Sequence, residues 1–148
     1  MKKNRKAIGI TALFDKLGVR LRNHIWSWGG VRADGAVFLR VWEDETRTEG
    51  NRIFMRVTKH QRYQKKVPKH RGYLDRLEHL ARVKNGATSY MVICVAKDVK
   101  AIPRSVKSFN SDELYRGGKL IDFDGDSWLE IFRSVSVKDV QLPSPGGR

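Results

Sequence analysis

The apolar positions of this chain recur with two different periods. In residues 8–17 they are spaced three or four apart, which places them on one face of a helix, and Gly18 follows as a stop signal. Residues 72–85 have the same period, and Gly86 supplies a residue that tolerates the left-handed cap of a helix. The pattern therefore predicts two helices, one near the start of the chain and one in the middle.

The other apolar runs are short and are bounded by turn residues, which is typical of strands. The predicted strands cover residues 23–32, 36–42, 53–57, 90–96, 114–123 and 127–137. Two pairs of them flank Asp-Gly dipeptides, at residues 34–35 and 124–125, and this arrangement indicates β-hairpins. Residues 45–51 and 98–110 are predicted to be loops.

The order of these elements, helix, three strands, helix, strand, loop and two strands, predicts an α+β fold. We expect a small curled mixed sheet or a partly open β-barrel with flanking helices. A chain of 148 residues is the usual size of one domain. We expect a basic tail at 1–6, a single domain at 7–140 and a disordered tail at 141–148.

Composition narrows the class of protein. The 4 Trp, 6 Phe and 4 Tyr favour a folded core over a disordered polycation. No apolar run approaches the ~20 residues that a membrane helix needs, and the basic start lacks the cleavage site of a secretory signal. The single cysteine, Cys94, lies in an apolar run and is expected to be buried. These features predict a cytoplasmic protein with no membrane partner.

Charge changes the picture most, because 30 Lys and Arg stand against 16 Asp and Glu and give a net charge of +14. The excess is concentrated in an acid-free segment at 52–72, and residues 1–6 add four more cations. The cations of that segment, predicted to bind phosphates, are Arg52, Arg56, Lys59, Arg62, Lys65, Lys66, Lys69 and Arg71. A patch of one sign attracts polyanions, so we expect a nucleic-acid partner whose affinity falls steeply with salt.

Metal and cofactor chemistry finds little support in the sequence. There is no cysteine pair, and the four histidines lack the spacing of zinc ligands. The glycine pairs at 29–30 and 117–118 lack the pattern of a phosphate-binding loop and are predicted to mark bends or bulges. Asp122, Asp124 and Asp126 flank a hairpin turn and are read as solvated. We expect no metal and no cofactor.

The tryptophans are the strongest candidates for selectivity. Trp26 and Trp28 fall on one face of a strand because side chains alternate, and Trp42 lies in the other arm of the same hairpin. Such a set either fills the core or walls a pocket that stacks a nucleobase, with neighbouring polar groups reading its edge. The predicted base pocket comprises Trp26, Ser27, Trp28, Trp42, Asn23 and Arg32. Trp128 is assigned to the core.

Two other functions fit parts of the sequence. His60 and His70 in the basic segment have the chemistry of a general base and acid for a metal-independent nuclease or toxin, with Lys65 or Lys66 stabilising the developing charge. The charge alone also suits a structural protein associated with the ribosome or another nucleoprotein. Neither alternative depends on the tryptophans.

A family resemblance adds to this reading. The hairpin at 24–42, HIWSWGGVRADGAVFLRVW, and the run at 90–98 followed by PRSVKSFN at 103–110 resemble a bacterial domain found alone or before HNH nuclease modules. The order of elements is similar to the PUA superfamily, particularly EVE-like readers of modified bases. The resemblance implies a curled sheet with flanking helices, binding of DNA rather than RNA, and a flipped modified base in an aromatic pocket. It also implies that any cutting belongs to a separate nuclease partner.

Overall fold

The structure is a computed structural model that describes residues 9–21, 28–58, 71–101 and 105–141. These residues form three helices, α1 (Ile10–Leu17), α2 (Arg71–Lys84) and α3 (Val137–Val140). They also form nine strands, β1 (Val19–Leu21), β2 (Gly29–Arg32), β3 (Val37–Trp42), β4 (Thr46–Glu49), β5 (Arg52–Arg56), β6 (Ser89–Ala96), β7 (Val106–Phe109), β8 (Glu113–Phe123) and β9 (Asp126–Ser136).

All nine described strands belong to one sheet of order β1-β2-β3-β6-β8-β9-β5-β4, with β7 paired to β6 off this path. β3 and β6 run parallel, and the other pairs are antiparallel. The parallel pair requires a long crossover, which β4, β5 and α2 provide. The predicted α+β class and mixed sheet are confirmed, but the sheet is large rather than small, and it is open, with β1 and β4 at the ends of its path.

The sheet curls on itself. Val37, Leu39 and Val41 of β3 share a buried cluster with Met55 and Val57 at the end of β5, although three strands separate β3 from β5 in the sheet. A flat sheet with strands about 4.8 Å apart would hold these side chains nearly 20 Å from each other. The concave face is therefore a core of its own, and α2 covers it through Leu80.

The opposite face of the sheet carries a second core. Leu13, Phe14 and Leu17 of α1 pack with Phe38 of β3 and with Val137 of α3, all of them buried. Gly18 ends α1 in the left-handed region, at φ +80°, as the sequence predicts. Helices α1 and α3, which lie near opposite ends of the described chain, are thus both held on this face by apolar side chains.

Two predicted loops contain strands. Residues 45–51 hold β4, which pairs with β5 across a turn at Gly50 (φ +61°), and residues 98–110 hold β7, which pairs with β6. Neither strand has a buried residue. Without an apolar face, β4 (TRTE) lacks the alternation by which a strand is recognised.

Both predicted Asp-Gly hairpins are confirmed, as β2–β3 and β8–β9. The glycine pairs differ from each other. Gly117 lies at a register shift between β8 and β9, as predicted, whereas Gly29 and Gly30 lie in regular register with β3.

None of the helices in the described part of the chain combines the length and apolar character that crossing a bilayer requires. The predicted tails lie outside the described residues, except for Gln141.

Candidate nucleic-acid interface

The net charge is divided very unequally between the described residues and the rest of the chain. All 16 acids are described, together with 18 of the 30 Lys and Arg, so this part carries a net charge of only +2. The other 12 cations lie in segments without a single acid, at 1–8, 22–27, 59–70, 102–104 and 142–148. The residues that the structure describes are therefore nearly neutral, and most of the net charge of +14 comes from five segments of the sequence that contain no acid.

Two arginines of the acid-free segment 52–72 form ion pairs with acids of β9 in the fold. Both Nε and Nη2 of Arg56 bond Asp126, with Nε at 3.0 Å from Oδ2, and Glu45 lies 4.0 Å from Nη1. Arg52, on the same strand, lies 3.6 Å from the Glu130 carboxylate. Arg56 thus serves the fold through an ion pair that the linear sequence does not reveal.

Asp126 corrects the reading of the aspartates at this turn as solvated. It is only 4% exposed, and Thr58 Oγ1 donates to it at 3.2 Å. Asp122 and Asp124 are exposed, as predicted. In the part of the chain that is described, no group of three or more His, Cys, Asp or Glu is arranged to hold a metal ion.

Of the remaining predicted phosphate ligands, one is described by the structure and five are not. Arg71 is exposed at the first residue of α2. Lys59, Arg62, Lys65, Lys66 and Lys69 lie outside the described residues, as do the nuclease candidates His60 and His70. The phosphate-binding role of these residues stays a prediction.

Three members of the predicted base pocket are described. Trp28 and Trp42 are both half-buried, and Trp42 packs against the core beneath α1. Arg32 is buried, and its Nη1 donates to the carbonyls of Leu17 (3.1 Å) and Val140 (2.6 Å), so that it joins α1 to α3. The other three, Asn23, Trp26 and Ser27, lie outside the described residues, and the pocket stays a prediction.

Arg76 of α2 is a central residue that the sequence reasoning missed. It is only 3% exposed, and Nη1 donates to Val57 O at 2.7 Å. Its Nη2 donates to Arg40 O at 2.8 Å and to Trp28 O at 3.1 Å. The available signal was its position in the apolar stripe of α2, three residues after Tyr73 and four before Leu80, both buried.

The bonds of Arg76 bring two predicted functional segments to one place. Trp28 is the first described residue after the aromatic segment 22–27, and Thr58, next to Val57, is the last before the basic segment 59–70. The Arg76 guanidinium also lies 5.6 Å from the centre of the Trp28 ring. The aromatic and the basic segments are therefore joined to the scaffold around a single side chain.

Three pKa shifts describe the electrostatics of the scaffold. The hydrogen bond from Arg32 lowers the pKa of Asp34, which fixes this carboxylate in its charged form. Burial lowers the pKa of Arg40. Burial raises the pKa of Cys94 to about 11, so the thiol stays protonated at neutral pH and is a poor nucleophile. The predicted burial of Cys94 is confirmed.

Comparison with known proteins finds no match among protein-family models, curated proteins or solved structures.

Proposed function

We propose that this chain is a nucleic-acid-binding domain that carries most of its excess charge in segments whose sequence contains no acid. The observation that supports this most strongly is the division of charge, with a net +2 on the described residues and 12 cations without an acid elsewhere. Charge that served only to keep the protein soluble would not be concentrated in particular segments of the sequence in this way. Each cation that contacts a phosphate releases counterions from the polyanion, so segments whose sequence holds cations and no acid favour tight binding at low salt.

The scaffold supports the same proposal through the state of its own charges. Arg32 forms an ion pair with the exposed Asp34, and Arg56 forms one with the buried Asp126. The described lysines, in contrast, are all exposed: Lys16, Lys84, Lys97, Lys100, Lys107, Lys119 and Lys138. Acids that are bound internally repel an approaching phosphate backbone less than free acids would.

Selectivity is proposed to come from the aromatic residues. The curled, open sheet with helices on both faces is compatible with a PUA-like fold, in which a flipped modified base of DNA is read. In this proposal Trp26, Trp28 and Trp42 stack on the base, while the neighbouring basic segment holds phosphates and any cleavage is made by a separate nuclease. Phosphate contacts position the domain, and base contacts specify the site.

The test is a binding panel of DNA duplexes and RNA hairpins that contain plain or modified bases, measured at two salt concentrations. We expect Trp26→Ala or Trp28→Ala to weaken binding to particular modified duplexes by about 5- to 150-fold, because base stacking contributes about 1–3 kcal/mol. Binding to plain duplexes is expected to persist.

Trp128→Ala is the matched control, since Trp128 is also half-buried but lies on β9, where its Nε1 donates to Phe123 O. If the Trp26, Trp28 and Trp42 variants all bind every oligonucleotide like the wild type, the base pocket is wrong. If the wild type binds no oligonucleotide at low salt, the nucleic-acid function itself is wrong. Cleavage in EDTA that is lost in His70→Ala would favour the nuclease.

A further inference from the structure

A row of paired side chains crosses four strands of the sheet. Phe38 of β3 pairs with Tyr90 of β6, Tyr90 with Arg116 of β8, and Arg116 with Arg133 of β9. Directly paired residues project from the same face of a sheet. The Phe38 and Tyr90 rings are stacked with centroids 5.0 Å apart, and the Arg116 guanidinium lies 5.9 Å from the Tyr90 ring. The row runs from the buried Phe38 to the exposed Arg133.

The two arginines of this row form no ion pair that would offset their charges. Like charges placed directly opposite each other on neighbouring strands are destabilising. All acids of the chain are described, and none of them forms an ion pair with Arg116 or Arg133. The Nε of Arg116 is buried without a hydrogen-bond partner. This pair therefore lacks the anion that would balance it.

A β-bulge lies next to the same pair and contains the aromatic residue Phe132, which directly precedes Arg133 in β9. The register passes from Arg116–Arg133 to Gly117–Ile131, which leaves Phe132 without a partner on β8. Such bulges re-aim side chains and are frequent beside functional sites. Phe132 is 64% exposed, more than any other large hydrophobic residue in the described ranges.

We propose that Arg116, Arg133 and Phe132 form a contact site for a single-stranded segment of nucleic acid. Cross-strand partners have Cβ atoms about 4.5–5.5 Å apart, so two guanidinium groups can reach one phosphodiester or two adjacent ones. The exposed Phe132 ring stacks on an unpaired base, which a duplex would not offer. This inference rests on the proposed function and assigns to it a surface distinct from the predicted tryptophan pocket.

The experiment measures the affinity of the full chain for a fluorescein-labelled single-stranded DNA 12-mer over a range of salt concentrations. We expect Arg116→Gln/Arg133→Gln to reduce the slope of log K against log salt by about 1.4, because each phosphate contact with a single strand contributes about 0.7. We expect Phe132→Ala to weaken binding about tenfold with little change in slope. Binding of Phe132→Ala to a blunt duplex is expected to match the wild type.

Two variants serve as matched controls. Arg20→Gln/Lys138→Gln removes two other exposed cations, and Phe123→Ala removes the other exposed aromatic ring in the described ranges. We expect both to bind the single strand like the wild type. If the double arginine variant does not fold, Arg133→Gln alone, at an exposed residue, is expected to reduce the slope by about 0.7.

The possible failures are distinguishable from one another. If the arginine and Phe132 variants bind like the wild type while the wild type binds strongly, this site is wrong and the proposed function stands. If the wild type binds no oligonucleotide, both are wrong. If Phe132→Ala changes the sedimentation coefficient from that of a dimer to that of a monomer without changing affinity, Phe132 is a self-association contact and the inference is overturned.

Discussion

Replacing Arg76 with methionine is expected to destabilise the fold by about 2–6 kcal/mol. The guanidinium donates to the carbonyls of Val57, Arg40 and Trp28, and of these Trp28 O keeps a second donor, the Arg40 N–H at 2.8 Å. The other two carbonyls lose the Arg76 bonds, and a buried acceptor left unsatisfied costs about 1–3 kcal/mol. Total stabilities of domains are about 5–15 kcal/mol, so the loss is severe.

The position of Arg76 explains why its effect should extend beyond three hydrogen bonds. Its Nη1 holds the end of β5, and its Nη2 holds β3 at the point where β2 begins. Strands β3 and β5 meet only because the sheet curls. Arg76 therefore stabilises the curl of the sheet as well as the position of α2. Loss of the side chain is expected to loosen the attachment of both segments that carry the predicted binding residues.

Urea unfolding followed by tryptophan fluorescence measures this effect. Arg82→Met is the matched control, because Arg82 lies on the same helix and is exposed. We expect the control to change the free energy of unfolding by less than about 0.5 kcal/mol. Equal midpoints for the Arg76 and Arg82 variants would show that Arg76 does not hold the sheet.

An alanine in place of Gly29 is expected to lower stability by about 1–3 kcal/mol or more. A Cβ at this position would lie 2.2 Å from Phe38 O and 3.1 Å from Leu39 Cα, both in the backbone of β3. Backbone atoms in the centre of a sheet cannot move aside as the end of a flexible side chain does, so the ladder itself must shift. The shift would also displace Trp28, the preceding residue in the chain.

Gly9→Ala is the control for Gly29, since nothing lies within 4 Å of a Cβ built at Gly9. Thermal unfolding monitored by circular dichroism is expected to show a Tm for Gly29→Ala at least several degrees below that of Gly9→Ala. If both variants melt with the wild type, β2 does not approach β3 as closely as the structure indicates.

The sequence predicted those elements whose information is local. Helices α1 and α2 have a clear period and a glycine stop, and the β2–β3 and β8–β9 hairpins have Asp-Gly turns, so their positions followed from neighbouring residues, whereas the short helix α3 was not predicted. The strands β4 and β7 were missed because their residues are not buried and their places depend on partners distant in the chain.

The candidate site was predictable in its composition but not in its pairing. The run of eight cations is visible in the sequence, yet two acids that pair with Arg52 and Arg56, Glu130 and Asp126, come from β9, 70 residues or more later. For the same reason Arg76 escaped notice, since its three acceptors lie 19 to 48 residues away. Gly29 was read as a bend because the close approach of β3 is a property of the folded sheet.

The most direct test of the central claim compares two triple variants in their binding to a DNA duplex at several salt concentrations. One neutralises Lys65, Lys66 and Lys69 of the basic segment, and the other neutralises Lys97, Lys100 and Lys107, which are exposed on the scaffold. We predict that the first reduces the slope of log K against log salt by as much as about 2.7, at about 0.9 for each phosphate contact, while the second leaves the slope unchanged. Equal slopes in the two variants, or a loss confined to the scaffold variant, would contradict the proposal that the basic segment binds the nucleic acid.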